Sequence, residues 1–156
     1  MNTTLADLPK QFPALAGRAP ELAGFIWFQG WNDMISVDYT AALATNLAHF
    51  IRDVRKDFKS PKLPFVIAQM GVDGTNASKN VQTFKAVLDV PEFSGNVALV
   101  KTDGFWDYEA DAVFRKGWRE NLDEWNKVGS ARTLCRIGRA CAEAVMQLRG
   151  DIQRKP

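Results

Sequence analysis

Three short runs of apolar residues, each giving way abruptly to polar or glycine-containing sequence, set the pattern of this chain. Gly24-Phe-Ile-Trp-Phe-Gln29, Phe65-Val-Ile-Ala-Gln-Met70 and Asn96-Val-Ala-Leu-Val100 are short and unbroken, and they predict buried strands. Between them the period becomes helical. Leu43, Leu47, Phe50, Ile51, Val54 and Phe58 share one face of a helix that Asp38 would cap and that would run to about Phe58. Val81, Phe84, Val87 and Leu88 mark a second helix, begun by Asn76 or Ser78. Leu134, Ile137, Gly138, Cys141, Val145 and Leu148 line one side of a last helix, capped by Ser130 and running to about Arg149. Arg136, Arg139 and Glu143 take its other side. A short helix over Thr4 to Phe12, a loop over Pro13 to Pro20, a break at Ser60 to Pro64 and a helix over Tyr108 to Asn126 complete the prediction.

Strands alternating with helices predict an α/β fold, with parallel strands and helices on both faces. The expectation is a partial three-layer, flavodoxin-like sheet of about three strands, fewer than the five or so of a doubly wound domain. The chain thus reads as a single domain, residues 1–156, built like the second half of such a sheet. A truncated sheet exposes an edge, which invites pairing with a second copy.

Composition narrows the function without naming it. The chain has 156 residues, 46% apolar and 24% charged, with a formal net charge of +2. That balance gives no footprint for nucleic acid or a membrane surface. No apolar run reaches the length of a membrane span. Met1 to Lys10 lacks the basic and apolar regions of a signal peptide, which leaves the compartment open. Cys135 and Cys141 lie six apart in a helical pattern, too far for a disulfide, and read as small core residues of a reduced chain. With one histidine and two such cysteines, no metal site is expected, and no cofactor.

The candidate chemistry sits after the first strand, in Gln29-Gly-Trp-Asn-Asp33. Amide side chains at the carboxyl end of a strand can donate hydrogen bonds to a developing oxyanion. They can equally serve as turn residues. Trp27-Phe-Gln-Gly-Trp-Asn-Asp33 resembles the third conserved block of SGNH-type esterases. The similarity is greatest to the branch of sialate O-acetylesterases and related carbohydrate acetylesterases, whose block reads roughly Trp-x-Gln-Gly-Glu-x-Asp. Trp31 stands where that block has Glu, and Gly30-Trp-Asn-Asp33 also fits the superfamily's Gly-x-Asn-Asp. The resemblance continues in order through Phe65–Gly71, Gly95–Trp106 and the helix after Gly129. It implies the SGNH hydrolase fold and hydrolysis of acetyl esters on sugars. It also implies an oxyanion donor in Gln29 or Asn32 and substrate contacts from Trp31 and Asp33. An acetylated carbohydrate is the implied partner, and such esterases are often secreted or periplasmic.

Two departures bear on activity. The family's nucleophile block, Gly-Gln-Ser-Asn after its first strand, has no counterpart here. Ser36, Ser60, Ser78, Ser94 and Ser130 all occupy turn or cap contexts, and a serine without an adjacent base is a poor nucleophile. Where the family has Asp-x-x-His the chain reads Asp123-Glu-Trp-Asn126, with Asp123 as the acidic triad candidate and Asn126 in place of the histidine. A short deletion of the histidine-bearing loop is an equally good account, and a solvated helix face is the plainer role of Asp123 and Glu124. Asparagine cannot shuttle a proton near neutral pH. The lone histidine, His49, is expected to face solvent from the long helix. The acids Asp103, Asp107, Glu109 and Asp111 could form an acid/base pair but fit better as the start of a helix. Phe105, Trp106 and Tyr108 could stack on a sugar, with core packing the plainer role. The chain alone is expected to hydrolyse little or nothing. A non-catalytic glycan-binding or interaction module and a truncated gene product are the alternatives.

Overall fold

The computed structural model describes residues 2–18, 21–30, 33, 36–69, 85–115 and 130–153. Helix α1 (Asn2–Gln11) and a 3-10 turn (Pro13–Leu15) precede strand β1 (Phe25–Trp27). Helix α2 (Val37–Asp57) leads to β2 (Phe65–Ala68). Residues 85–88 are helical, and a 3-10 turn (Pro91–Phe93) then enters β3 (Val97–Val100). A further 3-10 turn (Asp103–Phe105), α3 (Tyr108–Arg115) and α4 (Ala131–Arg149) follow. The predicted starts of one helix at Asn76 or Ser78 and the stretch of another beyond Arg115 lie outside the described residues.

The strands form one parallel sheet in the order β1-β2-β3. Phe25 pairs with Phe65 and Trp27 with Ile67, while Phe65 pairs with Val97 and Ala68 with Val100. The α/β expectation therefore holds. Residues 65–68 are fully buried because β2 has a strand on each side and helix on each face. On one face Phe65 and Ile67 pack with Leu43, Leu47, Ile51 and Val54 of α2. On the other, Val66 and Ala68 meet Ile137, Cys141, Ala144 and Val145 of α4. An aromatic group seals the first face. Phe25 stacks on Phe65 at 5.1 Å, and Phe50 of α2 meets both edge-on at 5.7 and 6.1 Å.

Several boundaries differ from the sequence reading. The cap of α2 is Ser36, not Asp38, which lies in the first turn. The Ser36 side chain makes no capping bond; instead the Thr40 hydroxyl donates to the Ser36 carbonyl at 3.0 Å. In α4 the predicted apolar stripe is only partly covered: Leu134 is 49% exposed, and Cys135 is exposed as well, whereas Cys141 is buried. The side of α4 that carries Val145 approaches Gly24 at the start of β1. Leu134 and Gly138 lie on that same side, about three and two turns earlier. Both are exposed, whereas Ile137, Cys141, Ala144 and Val145 of the same helix pack on Val66 and Ala68 of β2 and Val100 of β3.

Arg55 ties the base of the sheet together. It is 6% exposed. Its guanidinium donates to the Leu63 carbonyl at 3.0 and 3.2 Å, to the Asn96 carbonyl at 3.1 Å and to the Asn96 side chain, and it lies 5.4 Å from the Phe93 ring. Burial pulls its pKa below the usual arginine value, against the upward pull of Glu92. The bonds join α2 to the segments leading into β2 and β3, so the distant ends of those strands are fixed together.

Candidate active site at the carboxyl ends of the strands

β1 delivers Gln29 to the end of the sheet where open α/β folds place their sites. Gln29 lies two residues beyond the last paired residue of β1, and Gly30 follows with a φ of 154°, a backbone that a side chain would strain. The Gln29 amide Nε2 donates to Asp33 Oδ2 at 2.9 Å, partly buried. Thr40 Oγ1 donates to the Asp33 carbonyl at 2.6 Å. Asp33 thus joins the end of β1 to the start of α2, and its carboxylate fixes the plane of the Gln29 amide. One of the two Nε2 hydrogens is used in that bond, which leaves a second for a ligand oxygen. Gln29 and Asp33 are therefore brought together. Trp31, Asn32 and Asp123 lie outside the described residues.

The sequence reading missed a neighbour. Extending the pairing of Trp27 with Ile67 by two residues sets Gln69 beside Gln29. Side chains two apart on a strand share a face, so continuation of the strands would set both glutamines on the face that carries Trp27 and Ile67. Gln69 is only 2% exposed, and its Oε1 has no hydrogen-bond partner. Its backbone is held on both sides: its N–H donates to the Val100 carbonyl at 2.9 Å, and its carbonyl accepts from the Thr102 hydroxyl. A signal was present in the sequence. Phe25-Ile-Trp-Phe-Gln29 and Phe65-Val-Ile-Ala-Gln69 share the pattern Phe-x-x-x-Gln, and they pair in register from their first residue.

Beyond β3 the acids do structural work. Asp107 Oδ1 accepts from the Ala110 N–H at 3.2 Å, at the start of α3, and Oδ2 accepts from Ser130 Oγ at 3.0 Å. Ser130 Oγ accepts in turn from the Thr133 N–H at 3.0 Å and so caps α4. The two bonds that Asp107 accepts, the Ala110 one foremost, hold its pKa below the usual carboxylate value, helped by the charges of Arg132 and Arg136. Asp107 is thus engaged in the helix start that the sequence suggested. Trp106 is buried, while Tyr108 is 60% exposed and does not join the core.

His49 is exposed on α2, as expected. Ser94 follows a 3-10 turn and Ser60 a loop, and Ser130 is occupied as a cap. Among the described residues no group of three or more His, Cys, Asp or Glu side chains could hold a metal. No described helix is long and apolar enough to cross a membrane.

Comparison with curated proteins and with solved structures yields no match. The model of one protein family, described as carbohydrate esterase, sialic acid-specific acetylesterase, matches residues 9–114. That match takes in the whole sheet, Gln29, Asp33 and Gln69, and exceeds half of the chain. By fold, motif and family match, the chain belongs to the carbohydrate esterase family of sialic acid-specific acetylesterases.

Proposed function

We propose that this chain carries the oxyanion-binding wall of a sialate O-acetylesterase-type site and, by itself, hydrolyses no acetyl ester. The observation that carries the reading is the Gln29–Asp33 hydrogen bond at the carboxyl end of β1. A carboxylate that accepts one amide hydrogen presets the other toward an acyl oxygen, at no orientational cost when charge develops there. Asn32 is the alternative donor, Trp31 and Asp33 border the sugar, and Asp123 is the acidic member of a triad. Attack on the acyl carbon needs a serine alkoxide and an imidazole to take its proton. Among the described serines, Ser130 is occupied as a cap, Ser36 precedes α2, and Ser60 and Ser94 sit in loop or turn segments; His49 faces outward on α2. The wall then binds an acetylated sugar without cleaving it.

The experiment is acetate release from an aryl acetate and from O-acetylated sialic acid, with binding of N-acetylneuraminic acid measured in parallel. Binding without turnover is expected. Turnover abolished by His49→Ala or Ser36→Ala would overturn the assignment of those residues. Turnover that survives both would reveal other machinery.

One observation favours a second reading, a module that pairs through its sheet edge. Ile26 is 49% exposed in mid-strand, while its partner on β2, Val66, is fully buried. In that reading a second copy of the chain covers β1. Sizing chromatography would give a dimer, and Ile26→Lys would return it to a monomer.

A further inference from the structure

We propose that Gln69 and Trp27 form a hydroxyl-binding pair beside Gln29, the place where a sugar hydroxyl is held. The inference deepens the proposed sugar site and rests on it. Among the described residues, two buried side-chain atoms are left without a hydrogen-bond partner: Trp27 Nε1 and Gln69 Oε1. Buried polar atoms are rarely left unpaired, and each costs roughly 1–3 kcal/mol when it is. These two lie on adjacent paired strands, because Trp27 opposes Ile67 and Gln69 follows two residues later. Their side chains project from the same face. With strands about 4.8 Å apart and a rise of about 3.3 Å per residue, their Cα atoms are diagonal neighbours at roughly 8 Å. One bridging group between the indole and the amide would satisfy both atoms.

The chemistry of that group follows from the pair. An indole nitrogen only donates, and an amide oxygen only accepts. They leave room for a group that accepts from one and donates to the other, and a hydroxyl does both. A carboxylate or an ester carbonyl could take the indole hydrogen but would set a second acceptor against Gln69 Oε1. The pair therefore selects a hydroxylated ligand and disfavours an anionic group at this point. Gln29, next to it on the same face, is the donor left for the acyl oxygen. The surroundings keep Trp27 in place: its ring lies 4.7 Å from that of Phe50. Both ends of Gln69's peptide are bonded to β3 and the turn after it.

The test uses the whole chain, with N-acetylneuraminic acid as the probe and calorimetry as the readout. Trp27→Phe keeps an aromatic ring and loses the N–H. Gln69→Met keeps the length of the side chain and loses the oxygen. Each should weaken binding about 3- to 10-fold, the worth of one net hydrogen bond. Because both partners hold one hydroxyl, the double variant should weaken binding by less than the product of the two single effects. Thermal melts verify folding, and if Gln69→Met does not fold, Trp27→Phe decides alone. Unchanged affinity in a folded variant, with only its melting temperature altered, would show that a buried water fills the gap and would overturn the pair while leaving the sugar site standing. No binding by the unaltered chain would overturn the sugar site itself, and the pair with it.

Discussion

Replacing Gly24 with alanine tests how tightly α4 must sit on the strand that carries Gln29. A Cβ built on Gly24 would lie 3.0 and 3.1 Å from the two methyl carbons of Val145 and 3.1 Å from the backbone oxygen of Pro64. The Pro64 oxygen also accepts the Phe25 N–H at 2.8 Å, so it cannot withdraw without loosening the first bond between β1 and the segment before β2. Two effects compete. Alanine restricts the unfolded chain and, where the backbone permits, stabilises by about 0.4–1 kcal/mol. Overpacking a closed contact costs about 1–3 kcal/mol. The contact should win, for a net loss of about 0.5–2.5 kcal/mol, or several degrees of melting temperature for a domain of this size. Gly138→Ala is the control. Nothing approaches within 4 Å of its Cβ position, and it lies inside α4, so the same substitution there should stabilise by about 0.5–1 kcal/mol. Val145→Ala in the Gly24→Ala background should return part of the loss, since the valine methyls account for two of the three contacts and the Pro64 oxygen for the third. Urea unfolding of the four variants reads all of these effects. Gly24→Ala as stable as the parent, or strictly additive with Val145→Ala, would refute the close approach.

Two further predictions concern the base and the far end of the fold. Arg55→Met keeps the apolar stem but leaves the Leu63 carbonyl without its donor, and it should cost about 2–4 kcal/mol in urea unfolding. Arg52→Met breaks an exposed pair with Glu92 and removes a guanidinium 5.5 Å from the Phe93 ring, and should cost about 1 kcal/mol; an effect equal to that of Arg55→Met would refute the role given to burial. Asp107 has a folded pKa below its unfolded value, so the stability it contributes is present above about pH 4 and is lost as pH falls through the folded value. Asp107→Asn should therefore flatten the fall in melting temperature on the acid side, and an unchanged acid limb would count against the helix-start bonds.

The parts of the fold that could be read from sequence are those in which a local pattern and its burial coincide. Four consecutive apolar residues in β2 are buried on both faces because helices cover both. The apolar positions of α2 fall on the face that meets the sheet. The pattern misled where burial depends on what lies across from it. Leu134 and Cys135 carry the composition of a core helix, yet both are exposed, and the residues of α4 that meet the sheet are Ile137, Cys141, Ala144 and Val145. Asp38 and Ser36 are both favourable caps, and only backbone geometry separates them: Ser36 is extended and Asp38 helical. At the site, Gln29 was found through the motif that follows it. Gln69 was not, because the shared Phe-x-x-x-Gln pattern acquires meaning only from the strand register, and its unpaired buried oxygen is not visible in a linear sequence.

The candidate site and an exposed apolar position fall on the same strand of the sheet. Open α/β sheets form their sites where the strand order reverses. The order here runs β1-β2-β3 without a reversal, so the crevice belongs at a free edge. Gln29 stands at the carboxyl end of β1, an edge strand among the described residues. Ile26, in the middle of the same strand, is 49% exposed. At the other edge of the sheet, β3 offers no comparable group: Thr102, just beyond its end, is buried and spends its hydroxyl on the Gln69 carbonyl. One strand, β1, therefore carries both the amide of the candidate site at its carboxyl end and an exposed apolar side chain in its middle.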